Sequence, residues 1–192
     1  METFLTICLG IGLAASCGFR VFVPMLVMSV AAQAGMLQLS GGFEWIASWP
    51  ALIALAVATG LEIAAYYVPW LDNLLDTVAG PAAVVAGIIV TASTVTGIDP
   101  VLKWALAVIA GGGAAAAVQS VTTFARGAST VSTAGFGNFA VSTVEAGSSL
   151  FFSVLAIFLP LVAFVLLAAF ILYMGRWLAG WRSRRRPGEV AG

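Results

Sequence analysis

Charged side chains are too few and too unevenly placed for this chain to fold as a soluble protein. No charge occurs between Ala146 and Gly175, and the 192 residues include only eight basic and eight acidic side chains. They make up 8% of the chain, against about a quarter of a soluble domain. A soluble fold needs a polar surface around its core, and this chain cannot supply one. The sequence therefore predicts an integral membrane protein of one domain.

The sign of the net charge changes along the chain. Residues 1–175 sum to −4, whereas residues 176–192 sum to +4. The positive end contains the arginines Arg176, Arg182, Arg184, Arg185 and Arg186. Arginines just beyond the last apolar segment follow the positive-inside rule and predict a cytoplasmic C-terminus; a nucleic-acid or anionic-lipid patch is the alternative. Counting the predicted spans back from this end places the N-terminus in the cytoplasm as well. We expect a transmembrane domain over residues 1–178 and a basic cytoplasmic tail over 179–192, with no nucleic acid as partner.

The residue types needed for many catalytic and metal sites are absent. The chain has no histidine and two cysteines, Cys8 and Cys17, both in apolar sequence. This excludes zinc sites of cysteine and histidine, histidine-ligated haem, and nucleophiles activated by histidine. We predict no enzyme activity, no metal and no cofactor. The N-terminus lacks the basic region of a signal peptide and is interpreted as the first membrane segment.

Apolar runs and their interruptions predict an all-α, polytopic transmembrane fold. Conventional spans are expected over 48–69, 80–96, 101–124 and 150–177, each near the 20 residues that cross a bilayer. Two further segments are glycine-rich and contain an arginine, so they are interpreted as broken or re-entrant elements. They lie near 10–35 and 125–147. Irregular backbone inside a bilayer must be buried in protein or line a wet cavity.

Small residues and repeated signatures add two hypotheses about helix arrangement. Gly18-Phe-Arg20 and Phe124-Ala-Arg126 each precede a long apolar helix, which is compatible with an inverted repeat, although the spacing differs between the halves. The run from Gly111 to Ala117 is expected at helix–helix contacts. The same small-residue faces also permit a homo-oligomer.

Ionisable residues in apolar sequence are functional candidates, because a charge inside a bilayer is costly. Arg20 and Glu62 are expected to meet near the membrane midplane, with the hydroxyl-rich stretch 129–143 as another wall of the same cavity. The candidates for substrate binding or a pathway are Arg20, Glu62, Arg126, Asn138 and Glu145. The alternative is that Arg20 and Glu62 form a structural ion pair and that Arg126 and Glu145 lie at the interface.

Two acidic side chains form a separate pair in a predicted connector. Asp72 and Asp76 share a helix face if the connector is helical, since residues four apart are neighbours. Such a pair binds a cation or moves protons, or it caps a helix and hydrates a loop. The stretch Gly135-Phe-Gly137-Asn138 lacks the lysine of a phosphate loop, so nucleotide binding is not expected.

Several short motifs, in order, resemble one known family. They are Ala15-Ser-Cys-Gly18-Phe-Arg20-Val-Phe-Val-Pro24, then Trp49-Pro50 with Glu62 and Pro69-Trp-Leu-Asp72, then Thr133-Ala-Gly135-Phe-Gly137-Asn138 with Glu145. The chain resembles the bacterial membrane family known as domain of unknown function 4126. The resemblance implies a compact polytopic domain of the bacterial inner membrane. It also implies that the recurring motif residues include Arg20, Glu62, Asp72, Asn138 and Glu145.

Two functions remain open at this stage. A transporter or permease-like protein for a small solute, ion or lipid would explain the interrupted segments and the intramembrane charges. A non-transporting scaffold or assembly factor would use the glycine and alanine faces for packing and would neutralise its charges internally. A polar cavity lined by both broken segments favours the first, and a dry packed interior favours the second. The expected partners are membrane lipids and an unidentified solute.

Overall fold

The computed structural model describes residues 1–133 and 135–184, except for the side chains of residues 69–74, 76, 178, 179 and 181–184. Throughout the described residues the regular structure is helical, which confirms the predicted all-α class. The α-helices in chain order are α1 (Glu2–Cys17), α2 (Phe22–Gln33), α3 (Trp49–Ala65), α4 (Pro69–Thr94), α5 (Pro100–Leu106), α6 (Gly113–Thr133), α7 (Asn138–Phe158) and α8 (Pro160–Arg184). A π-helical segment, Ala107–Gly112, joins α5 to α6 without a break.

The helices fit a multi-pass membrane protein. Four helical segments of the described chain are long and apolar enough to cross a membrane: Thr77–Thr94, Pro100–Thr133, Asn138–Phe158 and Pro160–Trp177. The apolar helices α1, α2 and α3 are shorter, with 16, 12 and 17 residues. At 1.5 Å per residue α3 is about 25 Å long, close to the hydrocarbon thickness, whereas α2 reaches only about 18 Å.

The span expected to open at Gly80 begins eleven residues earlier, because α4 starts at Pro69. Proline is well suited to the first helical position, where its missing N–H is not needed. Pro81 lies inside α4 and does not end the helix. The predicted connector is therefore the start of α4. Asp72 and Asp76 belong to this helix, and their side chains lie outside the described residues.

The structure divides the last predicted span, 150–177, and does not confirm a re-entrant element over 125–147. Pro160 divides the former, since the residue before a proline avoids helical angles and Leu159 has φ −136° and ψ 64°. In the latter, α6 runs on to Thr133 and α7 begins at Asn138. Between them is a tight turn in which Gly135 has φ 90°, a value that favours glycine. Two full-length helices, α6 and α7, replace the expected re-entrant element.

The first predicted interruption is present, between the end of α1 at Cys17 and the start of α2 at Phe22. The two helices run in opposite directions beside α7. Oγ of Ser149 in α7 donates a hydrogen bond to the carbonyl of Ser16, near the end of α1. Arg20, just after α1, donates one to the carbonyl of Ser142, an earlier residue of α7, so α1 and α7 are antiparallel. Helix α2 is parallel to α7, because its last turn shares an apolar cavity with Phe158 at the end of α7. We call α1 and α2 the opening hairpin and residues 18–21 its tip.

Arg20 and Arg126 do not occupy corresponding positions in two halves of the molecule. Arg20 lies in the tip, outside any helix, whereas Arg126 lies within α6, which is uninterrupted around it. The two similar sequence signatures therefore give different local structures, and they do not support an inverted repeat.

The two termini lie at opposite ends of the helix bundle. Near the N-terminus, Thr3 lies against Gly97 in the α4–α5 loop: a Cβ added at Gly97 would be 3.0 Å from Oγ1 of Thr3. Near the C-terminus, Trp177 packs on Phe124, toward the α6–α7 turn. The expectation that both termini share one membrane face is wrong, because α7 adds a helix that the predicted topology did not contain. We refer below to the α4–α5 end and the α6–α7 end.

Small residues allow α1 to pass through the centre of the bundle, where it packs on α4, α6, α7 and α8. A Cβ at Gly18 would lie 2.6 Å from the carbonyl oxygen of Ala115 and from Cβ of Val118. A Cβ at Gly10 would lie 2.6 Å from Oγ1 of Thr94. No larger residue fits either position without moving a neighbouring helix. The buried, unpaired thiols Cys8 and Cys17 belong to the same core.

Candidate functional site

The tip of the opening hairpin is held by a carboxylate from α3. Oε1 of Glu62 accepts a hydrogen bond from the amide of Val21 at 2.8 Å, and Oε2 accepts one from the amide of Phe22 at 3.0 Å. These amides belong to the first turn of α2, where a helix has N–H groups without a partner in the helix. The carboxylate also lies at the positive end of the α2 dipole. Glu62 thus caps an interrupted helix inside the bundle.

Arg20, one residue before this cap, is almost completely enclosed. Its side chain is 1% exposed. Nη2 donates to the carbonyl of Ser142 at 2.9 Å and lies 3.4 Å from Oε2 of Glu145. The Nε and Nη1 atoms of Arg20 have no hydrogen-bond partner. Buried polar atoms in proteins are nearly always bonded, so two such atoms on one guanidinium mark an unusual site.

Glu145 on α7 joins Arg20 to a second arginine. Nε of Arg126 donates to the two carboxylate oxygens of Glu145 at 3.0 and 3.2 Å, and Nη2 of Arg126 also contacts Oε2. Both side chains are 5% exposed. Arg126 and Glu145 are thus enclosed within the helix bundle. Seven residues, or about 10 Å of helix, separate each of them from the α6–α7 turn.

The ring of Tyr66 contacts both guanidinium groups. Cζ of Arg20 is 3.7 Å from the ring centroid and Cζ of Arg126 is 4.1 Å from it. An aromatic face attracts a cation, so the ring partly offsets the repulsion between the two arginines. We call Arg20, Glu62, Tyr66, Arg126 and Glu145 the arginine–glutamate cluster.

Sequence reasoning missed Tyr66 and Ser142. Tyr66 follows Glu62 by four residues, so the two share a face of the α3 region, and this spacing was the available signal. Ser142, three residues before Glu145, accepts a hydrogen bond from Nη2 of Arg126 at 3.3 Å. Its role depends on α1 lying beside α7, which no local pattern reveals.

The structure brings four of the five candidate residues together but changes their pairing. Arg20 and Glu62 are neighbours through the tip backbone, yet Arg20 pairs with Glu145 and Glu62 binds amides. Asn138 lies apart, at the start of α7, where its Nδ2 donates to Oγ1 of Thr130 at 3.0 Å. Of the stretch 129–143, only Ser142 is shown contacting the cluster in the described part of the chain. Glu145 is displaced from the middle of α7 toward the α6–α7 end.

An apolar cavity of about 410 Å³ adjoins the cluster, between the opening hairpin, α3 and α4. Its wall includes Val21, Phe22, Glu62 and Tyr66, together with alanine, leucine and valine side chains of α3 and α4. Its volume lies within the range of about 300–1,000 Å³ that is usual for small-molecule sites. The other described cavities are lined almost wholly by apolar side chains and do not touch the cluster.

Among the residues that the structure describes, no group of three or more acidic or sulfur side chains is arranged to hold a metal ion. The side chains of the acidic pair Asp72 and Asp76 lie outside the described residues. The cluster offers groups for charge recognition: two arginines, two carboxylates, and the amides at the start of a helix.

Comparison with known proteins gives one match. Neither the curated proteins nor the solved structures include a match to this chain. Residues 7–179 match the family described as domain of unknown function (DUF4126). The match covers most of the chain, including the opening hairpin and the whole arginine–glutamate cluster. The chain is thus a member of the DUF4126 family of helical, membrane-type proteins.

Proposed function

We propose that this membrane protein is a permease for a small solute, which binds at the tip of the opening hairpin. The proposal rests on the buried guanidinium group of Arg20, in which two nitrogen atoms, Nε and Nη1, have no hydrogen-bond partner. An unsatisfied buried polar group costs about 1–3 kcal/mol, and more when it is charged. A structural ion pair would gain nothing from leaving these donors free, whereas a solute could bind them.

The interrupted helices support the same proposal. Transporters commonly bind solutes at discontinuous membrane helices, where the free amides at the start of a half-helix face an anionic group. Here the start of α2 lies inside the bundle and faces Glu62. The opening hairpin would then be a re-entrant element that enters from the α4–α5 end. Its short helices, of 16 and 12 residues, suit that role.

Helix α3 is the element we propose to move during transport. It carries Glu62, its C-cap is Tyr66, and it packs mainly on α2. The 410 Å³ cavity separates part of α3 from α4 beside these two residues. Displacing α3 away from the opening hairpin would uncover the cluster without disturbing the contacts of α1 with α4, α7 and α8.

The proposed location is a bacterial inner membrane, with the C-terminus in the cytoplasm. The α8 arginines would then follow the positive-inside rule. The α4–α5 end, which carries Glu2, Glu44, Asp99 and Lys103, would face the periplasm together with the N-terminus.

Reporter fusions test this orientation. We expect alkaline phosphatase, which is active only in the periplasm, to be active at the N-terminus, after an added signal sequence, and in the Gly97 loop. We expect it to be inactive at the C-terminus, where a green fluorescent protein should fluoresce. Activity at both termini, or at neither, would contradict the arrangement of an opening hairpin followed by five crossings.

A flux assay tests transport itself. Proteoliposomes are shifted into hyperosmotic urea, glycerol, potassium nitrate or potassium chloride, with valinomycin present for the salts, and reswelling is followed by light scattering. We expect at least one solute to enter about tenfold faster than into empty liposomes, and Arg20→Gln to abolish the difference. The matched control is Glu44→Gln, because Glu44 is exposed and bonds only the amide of Gly42 among the described contacts.

A scaffold or assembly factor is the second candidate. It is favoured by the close approach of backbones at Gly10, Gly18 and Gly87, and by cavities with apolar walls. In that case the cluster would be structural, and lipids or a second copy of the chain would be the partners. Equal reswelling of protein-containing and empty liposomes for every solute would favour this function. We propose no catalytic role in either case.

A further inference from the structure

We propose that the groove between α6 and α8 binds one acyl chain of an anionic phospholipid, and that Arg176 binds the phosphate of the same lipid. The inference is independent of the proposed transport function, since neither a permease nor a scaffold requires it. It names one class of partner, a diacyl glycerophospholipid with a negative headgroup.

The groove is an apolar cavity of about 300 Å³ at the side of the bundle. Its floor is α1, at Gly12 and Ala15, and its walls are Ala114 of α6 and apolar side chains of α8 between Phe164 and Leu172. It exists because α6 and α8 touch each other only slightly, although both pack on α1. Every residue that lines it is apolar, so a hydrocarbon chain can fill it without leaving a polar group unpaired.

Arg176 supplies a charge at one end of this groove. It follows Leu172, which lines the groove, by four residues, so the two share a face of α8. Helical side chains lean toward the start of their helix, so that of Arg176 extends back toward the groove. Arg176 is exposed and forms no hydrogen bond or ion pair with any residue that the structure describes. A guanidinium that is free in this way can hold a phosphate through two parallel hydrogen bonds.

Neighbouring aromatic side chains place Arg176 at the level of lipid headgroups. Tyr173 is 68% exposed and Trp177 is 48% exposed, and both residue types favour the boundary between lipid and water. From there the groove extends into the apolar part of the bundle, from Leu172 to Phe164, about 12 Å along α8. A lipid whose phosphate binds Arg176 therefore has one of its chains beside the groove.

Gly175 leaves the passage between the charge and the groove open. It follows Ile171, another lining residue, by four positions, and nothing lies within 4 Å of a Cβ built on it. The glycerol part of the lipid can thus pass over bare backbone at this position. A basic group beside a cleft between membrane helices is the usual arrangement for recognising an anionic headgroup.

Thermal melting in detergent tests the headgroup. Phosphatidylglycerol should raise the Tm of the unaltered protein by about 3 °C more than phosphatidylcholine with the same acyl chains, because a ligand that binds only the folded state stabilises it. Arg176→Gln should remove this difference. The control is Arg184→Gln, Arg185→Gln and Arg186→Gln combined, which removes more charge from the tail and should keep the difference. If this control loses the difference and Arg176→Gln keeps it, the proposal is overturned.

Filling the groove tests the acyl chain. Ala168→Phe places a ring among the lining side chains and should abolish the effect of phosphatidylglycerol on the Tm. The matched control is Ala169→Phe, the same change at an exposed neighbour outside the groove, which should retain the effect. An equal response of the two variants to phosphatidylglycerol would overturn the assignment of the groove.

Gly175→Leu keeps the test decisive if Ala168→Phe does not fold. The open space around Gly175 accommodates the new side chain, which then obstructs the passage to the groove. Gly147→Leu, at an exposed glycine of α7 with equally open surroundings, is its control. Native mass spectrometry should find one phosphatidylglycerol retained per chain in the unaltered protein and in Gly147→Leu, and none in Gly175→Leu. Equal retention of phosphatidylcholine, or a lipid-free dimer that Gly175→Leu dissociates, would overturn the proposal, the dimer by showing that a second copy of the chain covers the groove.

Discussion

Replacing Glu145 by glutamine is expected to lower the free energy of unfolding by about 3–5 kcal/mol, the range measured when one partner of a buried ion pair is removed. The carboxylate of Glu145 lies against Arg20 and Arg126 at once. Without this carboxylate, the two enclosed guanidinium groups would still contact the Tyr66 ring, but α7 would supply no negative charge to either of them. The measurement is unfolding in mixed detergent micelles, followed by circular dichroism.

The matched control for this prediction is Glu44→Gln, which should unfold almost as the unaltered protein does. A second comparison uses Arg126→Met combined with Glu145→Gln. Removing one of the two guanidinium groups should recover part of the lost stability, since the effects of residues in contact are not additive. An unfolding curve of Glu145→Gln that overlaid the parent curve would show that Glu145 is not the main counter-charge of the cluster.

The second large effect is expected within three consecutive glycines. Gly111→Leu should prevent stable folding, because even a Cβ there would lie 2.8 Å from the carbonyl oxygen of Gly87 and would collide with Oγ1 of Thr91. Overpacking a filled core by a few methylenes typically costs about 1–3 kcal/mol, and here the obstacle includes rigid backbone. Gly112→Leu should be damaging but milder, since a Cβ at Gly112 meets the flexible side chain of Ile88 at 3.1 Å.

Gly113 provides the control within the same run. Nothing lies within 4 Å of a Cβ at this position, and the residue is exposed. Gly113→Ala should leave the Tm unchanged or raise it slightly, because alanine favours a helix over glycine by up to about 1 kcal/mol. Thermal melting of the three single alanine variants should rank Gly111 as the most damaging and Gly113 as the least. A reversed order would contradict the packing of the π-helical segment on α4.

The membrane class and the burial of Arg20 and Glu62 inside the bundle could be predicted from sequence, because both follow from the cost of charge in an apolar environment. The partner of Arg20 could not. Glu145 reaches it only because α7 runs antiparallel to α1, and that arrangement depends on packing far along the chain. A local pattern also cannot show that the first amides of α2 would compete for Glu62.

The segment 125–147 was misinterpreted for a different physical reason. Its hydroxyl groups suggested irregular backbone, but many of them bond the carbonyls of their own helix. Oγ of Ser132 donates to the carbonyl of Ala128, and Oγ1 of Thr133 donates to that of Ser129. Serine and threonine bonded in this way are satisfied inside an intact helix. The hydroxyl content therefore indicated little about where the helices end.

The separation of Arg20 from its partners has a consequence for biosynthesis. Arg20 and Ser142, which bond each other, are 122 residues apart. At about 5–20 residues per second, a ribosome needs roughly 6–24 s to make the intervening chain. During that time Arg20 lacks its α7 contacts, and leaving an arginine alone in lipid costs at least about 2.5 kcal/mol. The segment made first is thus expected to wait at the membrane surface or in the insertion machinery, and to enter the bundle only after α7 has been inserted.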